Sequence, residues 1–332
     1  IPFKKTTRQN EIMLWFIGLG ISGISELSDS TLSIIKNADI VYLESFTSPI
    51  SETEKDELKN ISNGEFKSAK RWLVEDGNEI LENAKKKVVV LISYGDPYIA
   101  TTHLELKTRA IRDNIETNTI HSSSIVSSLI GEVGLHYYKV GKILTIMNDA
   151  KSMVTPYNII FDNLLNHAHS VILLEYNEDK SFFLAPENAL SLLLDIEKNQ
   201  NRKVISSETF GIIASRIGKS NQKITSGKIS NLIKNKFGEP PHSIIIPGSL
   251  HFTESDALKI VTECLDKPFD NSANLKNISE QMIEKYVPMV RDALEEIKPH
   301  YENIKEYEDV LINAKLYIDD AENFLKEGKK EY

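Results

Sequence analysis

The chain has 332 residues, 41% apolar and 26% charged, enough for two domains with cores of their own and too apolar for wholesale disorder. Its single cysteine, Cys264, excludes a disulfide framework and a thiolate zinc site and fits a reducing, cytoplasmic setting. Of the net charge of −9, the stretch from Asp270 to Tyr332 carries −6 (15 acids against 9 bases), so the acidity collects there and no basic nucleic-acid footprint stands out.

Residues 1–12 are polar and basic, lack the apolar segment of a signal peptide and are expected to be disordered, with Met13 reading as a native start. No run approaches the roughly 18 apolar residues of a membrane helix. Met13 to Ile17 reads as a buried strand closed by Gly18-Leu19-Gly20. Asp29 or Ser30 is positioned to cap a helix beginning near Thr31. Ile40 to Leu43 is a second strand, followed by helices around Thr53 to Asn60 and Asn78 to Lys86. Val88 to Ile92 is continuous and mostly β-branched, as buried parallel strands are, and ends in Tyr94-Gly95-Asp96-Pro97. A helix from Leu104 to Ile111, a strand over Thr119 to His121, a helix from Ser124 to Gly131 and a fifth strand over Ile143 to Ile146 complete a first unit, 13–148. Alternation of strand and helix predicts a parallel α/β sheet.

The pattern breaks near Asp149 to Pro156, and a second α/β unit is expected over 149–266. It holds a strand at Val171 to Leu174, a helix from Pro186 to Glu197, a long strand region from Lys203 to Arg216, a helix near Ile229 to Asn235 and a strand at Ser243 to Ile246. Adjacent β segments with no helix between them suggest a mixed sheet. After Pro268, Leu275, Ile278, Met282, Tyr286, Met289, Ala293 and Ile297 recur at helical spacing, and Val310, Ala314, Ile318, Ala321 and Leu325 do so again. An acidic helical hairpin over 267–332 is expected, kinked at Pro288 and broken at Pro299, packing on its own protein or a second subunit.

Gly18-Leu19-Gly20-Ile21-Ser22-Gly23 matches the dinucleotide spacing, with Glu44 ending the next strand about twenty residues on. That fingerprint places a helix N-terminus at its last glycine, whereas here the best cap lies well beyond Gly23. The glycines read instead as letting a strand end approach a flat ligand, and an NAD-dependent oxidoreductase stays as the alternative. Asp96, at the carboxyl end of a parallel strand, reads either as an acceptor for ligand hydroxyls or amines or as the cap of the following helix. The run Ser122-Ser123-Ser124 supplies hydroxyls and helix-start N–H groups, and no G-x-S-x-G elbow supports a serine nucleophile. His167-Ala168-His169 lacks companion metal ligands and reads as a solvated helix end. His242, placed by Pro240-Pro241, reads as a satisfied strand-start histidine. No metal site and no catalytic base is nominated, with His103 only a candidate near the cleft.

Five blocks in order carry a resemblance: Phe16 to Gly20, Gly95 to His103, His121 to Ile125, Gly134 to Lys142 and Phe237 to His242. Pro247 to Phe252 is a sixth. Together, over about 13–265, they resemble the diphthine synthase family, the methyltransferases of diphthamide biosynthesis within the tetrapyrrole-methylase-like fold. The resemblance implies two α/β domains with S-adenosylmethionine in the cleft between them, in a homodimer. It implies cofactor contacts from Ile21, Asp96, Ile99, Ser124 and Ile125 in the first domain, and from Leu174, Ile217 and His242 in the second. It also implies a protein substrate, elongation factor 2, whose histidine already carries an aminocarboxypropyl group, with successive methylation of that amino group. Methyl transfer from a sulfonium is an in-line displacement that needs alignment rather than a metal or a protein nucleophile. The rival readings are a tetrapyrrole-type small-molecule methyltransferase and a non-enzymatic adaptor built on the acidic hairpin.

Overall fold

The computed structural model describes residues 12–272, 275–301, 311–319 and 323. The expected disordered segment, apart from Ile12, lies outside the described residues.

The first unit runs β1 (Met13–Gly18), α1 (Asp29–Asn37), β2 (Ile40–Glu44), α2 (Glu52–Ile61), β3 (Glu65–Ala69), α3 (Arg71–Asp76) and α4 (Asn78–Ala84). It continues through β4 (Val88–Ser93), α5 (His103–Arg112), β5 (Thr117–Ile120) and α6 (Ile125–Glu132). The five strands are parallel in the order β3-β2-β4-β1-β5. Successive side chains alternate between two buried faces: Leu14, Phe16, Tyr42 and Leu91 pack on one, Ile17, Leu43, Val90 and Ile92 on the other. Burial on both faces explains why β1, β2 and β4 read as unbroken apolar runs.

The second unit comprises β6 (Leu144–Ile146), α7 (Val154–Leu165), β7 (Ser170–Leu174), the short pair β8 (Tyr176–Asn177) and β9 (Phe182–Phe183), and α8 (Pro186–Gln200). It goes on with β10 (Phe210–Ser215), β11 (Lys223–Lys228), α9 (Ile229–Leu232), β12 (His242–Ile246), α10 (Phe252–Val261) and β13 (Glu263–Cys264). Its main sheet is mixed, as expected, in the order β13-β11-β10-β12-β7-β6.

The structure differs from the sequence reading in several places. The fifth strand of the first sheet is β3, whose polar edge sequence did not read as a strand; the segment expected there, β6, pairs in parallel with β7 of the second sheet. The long strand region from Lys203 shrinks to β10, because the N–H groups of Lys203, Val204 and Ile205 all turn onto the Glu197 carboxylate. The chain beyond 266 stays with the second sheet as far as Ser272. The Asn271 side chain bonds the Phe210 N–H (2.8 Å), the Phe210 carbonyl (2.9 Å) and the Pro247 carbonyl (2.7 Å).

Helix α11 (Leu275–Tyr301) carries both Pro288 and Pro299 within it, so the break expected at Pro299 falls no earlier than Tyr301. Residues 311–319 are helical again, and Arg291 pairs with Asp319 at 3.4 Å, which sets the two segments side by side. Ile318 is buried, in keeping with its place on the apolar stripe. Val310, Ala321 and Leu325, and the side chains of Leu275, Ile278, Met282 and Tyr286, lie outside the described residues.

Candidate active site

The carboxyl ends of the first sheet face the second unit across a cavity of about 370 Å³, a volume within the range of ligand pockets. Its floor is built by loops tied to one another. Gly20 and Gly95 exchange both backbone hydrogen bonds, each at 3.1 Å and each glycine at φ +74°. A Cβ on Gly18 would lie 2.4 Å from the Gly95 carbonyl, and one on Gly23 2.2 Å from Glu54 Oε1. Gly18 and Gly20 therefore serve loop-on-loop packing at the ends of β1 and β4, and Gly23 packs against Glu54 of α2. Gly23 opens a 3-10 turn, Gly23–Glu26, and α1 starts later with Ser28, not Asp29 or Ser30, as its cap. No helix N-terminus meets the glycine loop, so the dinucleotide arrangement is absent here.

Asp96 is 4% exposed and does not cap α5, whose cap residue Thr102 makes no side-chain bond. Its Oδ1 accepts from the Tyr98 N–H at 2.9 Å. Its Oδ2 accepts from His121 Nδ1 at 2.7 Å and from the Ser122 N–H at 3.3 Å. Asp96 thus joins the loop after β4 to the loop after β5. Ile21 is held from both sides: its N–H donates to Ser123 Oγ (2.9 Å) and its carbonyl accepts from the Tyr94 hydroxyl (2.6 Å). Ser124 caps α6, accepting from the Val126 N–H at 3.3 Å.

Ile21, Asp96, Ile99, Ser124 and Ile125 all border the cavity from the first unit. Leu174 at the end of β7, Ile217 after β10 and His242 at the start of β12 border it from the second. All eight cofactor-contact residues that the resemblance implies are therefore brought to one cavity. The His242 ring is satisfied as expected: Nδ1 meets Ser215 Oγ at 2.9 Å and Nε2 donates to the Gly238 carbonyl at 3.2 Å. Burial pushes its pKa down, so the ring is neutral near pH 7.

Two sets of contacts hold the units together around the cavity. On one side, a Cβ on Gly218 would meet Ile21 at 2.7 Å, and Lys219 pairs with Glu54 at 3.0 Å while lying over the Tyr94 ring. On the other, Ser45 donates to Glu178 (2.7 Å) and Lys70 pairs with Asp179 (2.6 Å), anchoring the β8–β9 turn.

The sequence reading missed part of the lining. Phe46, Thr47 and Ser48 after β2, Arg71 at the start of α3, and Tyr176 and Phe183 of the β8–β9 pair also face the cavity. The rule that ligands gather at the carboxyl ends of parallel strands pointed to the residues after Glu44. Arg71 had no such signal, because β3 went unread. Buried Glu44 shapes this end: its Oε1 accepts from the N–H groups of Phe46 (2.7 Å) and Thr47 (2.5 Å). Burial raises its pKa.

Three histidines take structural places. His103 is fully buried outside the cavity lining, with Nδ1 donating to the Pro97 carbonyl at 3.0 Å and Nε2 facing Glu44 Oε2 at 3.8 Å. Burial pushes its pKa down to about 4, and neither facing atom has a hydrogen-bond partner. His169 is not a solvated helix end: it is fully buried, with Nε2 donating to Glu254 at 2.9 Å. His167 meets Ser272 Oγ at 3.0 Å. Two of the resemblance blocks converge on buried Glu254, which accepts from Lys139, from the His136 and His251 N–H groups, and from His169. Burial opposes its ionisation, yet these donors prevail and hold its pKa at about 2. Among the described residues, no cluster of His, Cys, Asp and Glu could hold a metal ion.

The match of a family model gives this architecture its class, that of a methylase fold. The chain belongs to the tetrapyrrole (corrin/porphyrin) methylase family, whose model matches residues 13–233. Within that family its relatives include diphthine synthases. It is 37% identical over 254 residues to the diphthine synthase of Methanococcus maripaludis, covering 76% of this chain and 99% of that one. It is 35% identical over 256 residues to that of Methanocaldococcus jannaschii, with the same coverage of each. A crystal structure of diphthine synthase superposes with a TM-score of 0.68 at 28% identity, over 76% of this chain and 96% of that one.

Proposed function

We propose that this protein methylates, in successive steps, the amino group of an aminocarboxypropyl-modified histidine on elongation factor 2. It is an S-adenosylmethionine-dependent methyltransferase of diphthamide biosynthesis, as its relatives are. The observation that carries the site assignment is the convergence of Ile21, Asp96, Ile99, Ser124 and Ile125 with Leu174, Ile217 and His242 on one cavity between the sheets. Elongation factor 2 as the substrate, the homodimer and the cytoplasmic setting are parts of the same proposal. Exposed Tyr137, Tyr138 and Phe252 offer a surface for a second copy, and exposed Cys264 fits a reducing compartment. Among the described residues no helix is long and apolar enough to cross a membrane.

The donor set fits the cofactor. Ile21, Ile99, Ile125, Leu174 and Ile217 offer apolar walls for a flat base, and the tied loops after β1, β4 and β5 offer backbone polar groups. When bound, S-adenosylmethionine supplies an activated methyl group. The protein orients the acceptor amine toward that group and keeps water out, an alignment worth roughly 7–11 kcal/mol at best. No side chain is assigned as base. His103 is closed off from the cavity, and the rings of His242 and Asp96's partner His121 are already engaged.

Titration calorimetry tests the site. Saturable binding of S-adenosylmethionine and its demethylated product, without binding of NADH, is expected. Binding of NADH alone would overturn the assignment.

A further inference from the structure

We propose that Arg71 binds the carboxylate of the acceptor's aminocarboxypropyl group at the β2–β3 end of the cavity. The inference rests on the functional reading above and adds the acceptor subsite to it.

Sheet order supplies the first reason. The cofactor residues assigned from the first unit follow β4, β1 and β5, whereas Phe46 to Ser48 follow β2 and Arg71 follows β3. Strands lie about 4.8 Å apart, so the end of β3 lies about 10 Å from that of β4, the nearest strand carrying assigned cofactor residues, and about 14 Å from that of β1, room for a second group beside the cofactor. The β2–β3 end is lined but unassigned.

Charge supplies the second. Among the described residues only two guanidinium groups border the cavity, those of Arg71 and Arg216. Arg216 is spent on its own fold, donating to the backbone carbonyls of Asn221, Phe237 and Glu239. Arg71 lies over the Phe46 ring, 4.8 Å from its centroid, and donates from Nη1 to Glu75 at 3.2 Å. Among the described residues its Nε and Nη2 have no hydrogen-bond partner, which leaves for a ligand the planar fork that matches a carboxylate. Phe46 is itself fixed, because Glu44 holds its N–H, so the guanidinium rests on a positioned platform.

Chemistry supplies the third. The acceptor amine must be neutral to attack a methyl group. The neighbouring carboxylate favours the ammonium form, and pairing that carboxylate with a guanidinium removes much of this effect. Arg71 would therefore both place the amine and ease its loss of a proton.

The test measures steady-state methylation of aminocarboxypropyl-modified elongation factor 2 by the full chain, its Arg71→Gln variant and its Arg71→Lys variant, with S-adenosylmethionine affinity measured in parallel. Arg71→Gln is expected to raise KM for the modified factor roughly 10- to 100-fold, the range of a charge-assisted hydrogen bond. Cofactor affinity is expected to stay unchanged, and the acid limb of kcat, which reports the bound acceptor amine, to move to higher pH. Arg71→Lys is expected to recover part of the loss, since an ammonium supplies charge without the fork. An unchanged KM in Arg71→Gln, with the wild-type protein active, overturns the subsite alone. A loss of cofactor affinity in step with KM overturns it too, placing Arg71 at the cofactor end. A wild-type chain that binds the cofactor but transfers no methyl group overturns the functional reading, and the subsite with it.

Discussion

Gly20 and Gly95, 75 positions apart in the chain, pair their backbones with two hydrogen bonds of 3.1 Å, and Gly18 packs its Cα against the Gly95 carbonyl. The strand ends of β1 and β4 are thereby locked together under the cavity. Gly18→Ala forces a methyl group to within 2.4 Å of that carbonyl. The expected outcome is a loss of about 1–3 kcal/mol of stability by overpacking, with weakened cofactor binding. Urea denaturation and calorimetry on the same preparation check both.

Asp96 has both carboxylate oxygens engaged, by Tyr98 on one and by His121 and Ser122 on the other. Asp96→Ala leaves the Tyr98 and Ser122 N–H groups without acceptors and releases the loop after β5 that carries Ser124 and Ile125. Cofactor affinity is expected to fall by about 1–3 kcal/mol. Unchanged affinity in a folded variant would remove Asp96 from the site.

Acidification should destabilise the fold in two overlapping windows. Burial lowers the His103 pKa from its usual 6.5 to about 4, so the unfolded chain binds its proton first. The neutral ring's contribution, at most about 3 kcal/mol, is complete above pH 6.5 and is lost as pH falls toward 4. His169 and His242, also lowered by burial, add slope of the same sign. Glu254, held at about 2 against an ordinary 4.5, adds stability above pH 4.5 that is lost as pH falls toward 2. Buried Glu44, whose pKa is raised, acts in the opposite sense. Urea midpoints are expected to fall from pH 7 to pH 4, and more shallowly in His103→Gln.

Asn271 stitches the segment after β13 to β10. Asn271→Ala strips a partner from the Phe210 N–H and is expected to cost about 1–3 kcal/mol, read as a lower urea midpoint with an unchanged slope. No change would mean that this segment belongs energetically to the helical extension.

What the sequence disclosed follows burial. Val88 to Ile92 and Ile40 to Leu43 are covered on both faces, so their composition alone announced them. Glu65-Phe66-Lys67-Ser68-Ala69 forms an edge strand with exposed Glu65 and Ser68, and its polar composition concealed it. That omission also hid Arg71. Leu144 to Ile146 read correctly as a strand, but a strand's own residues do not name its neighbour, and β7 claims it. His169 looked solvated because its partner, Glu254, is 85 residues away. Asp96 was legible as a candidate ligand contact from its place at a strand end, whereas His242 entered the candidate site only through the resemblance, and the bonds that occupy both come from separate loops.

The central claim is methyl transfer to the modified histidine. It is tested most directly by mass spectrometry of aminocarboxypropyl-modified elongation factor 2 after incubation with the protein and S-adenosylmethionine. The expected result is stepwise addition of methyl masses on that side chain, absent with unmodified factor. An unaltered mass for the modified factor, under conditions in which the protein binds the cofactor, would contradict it.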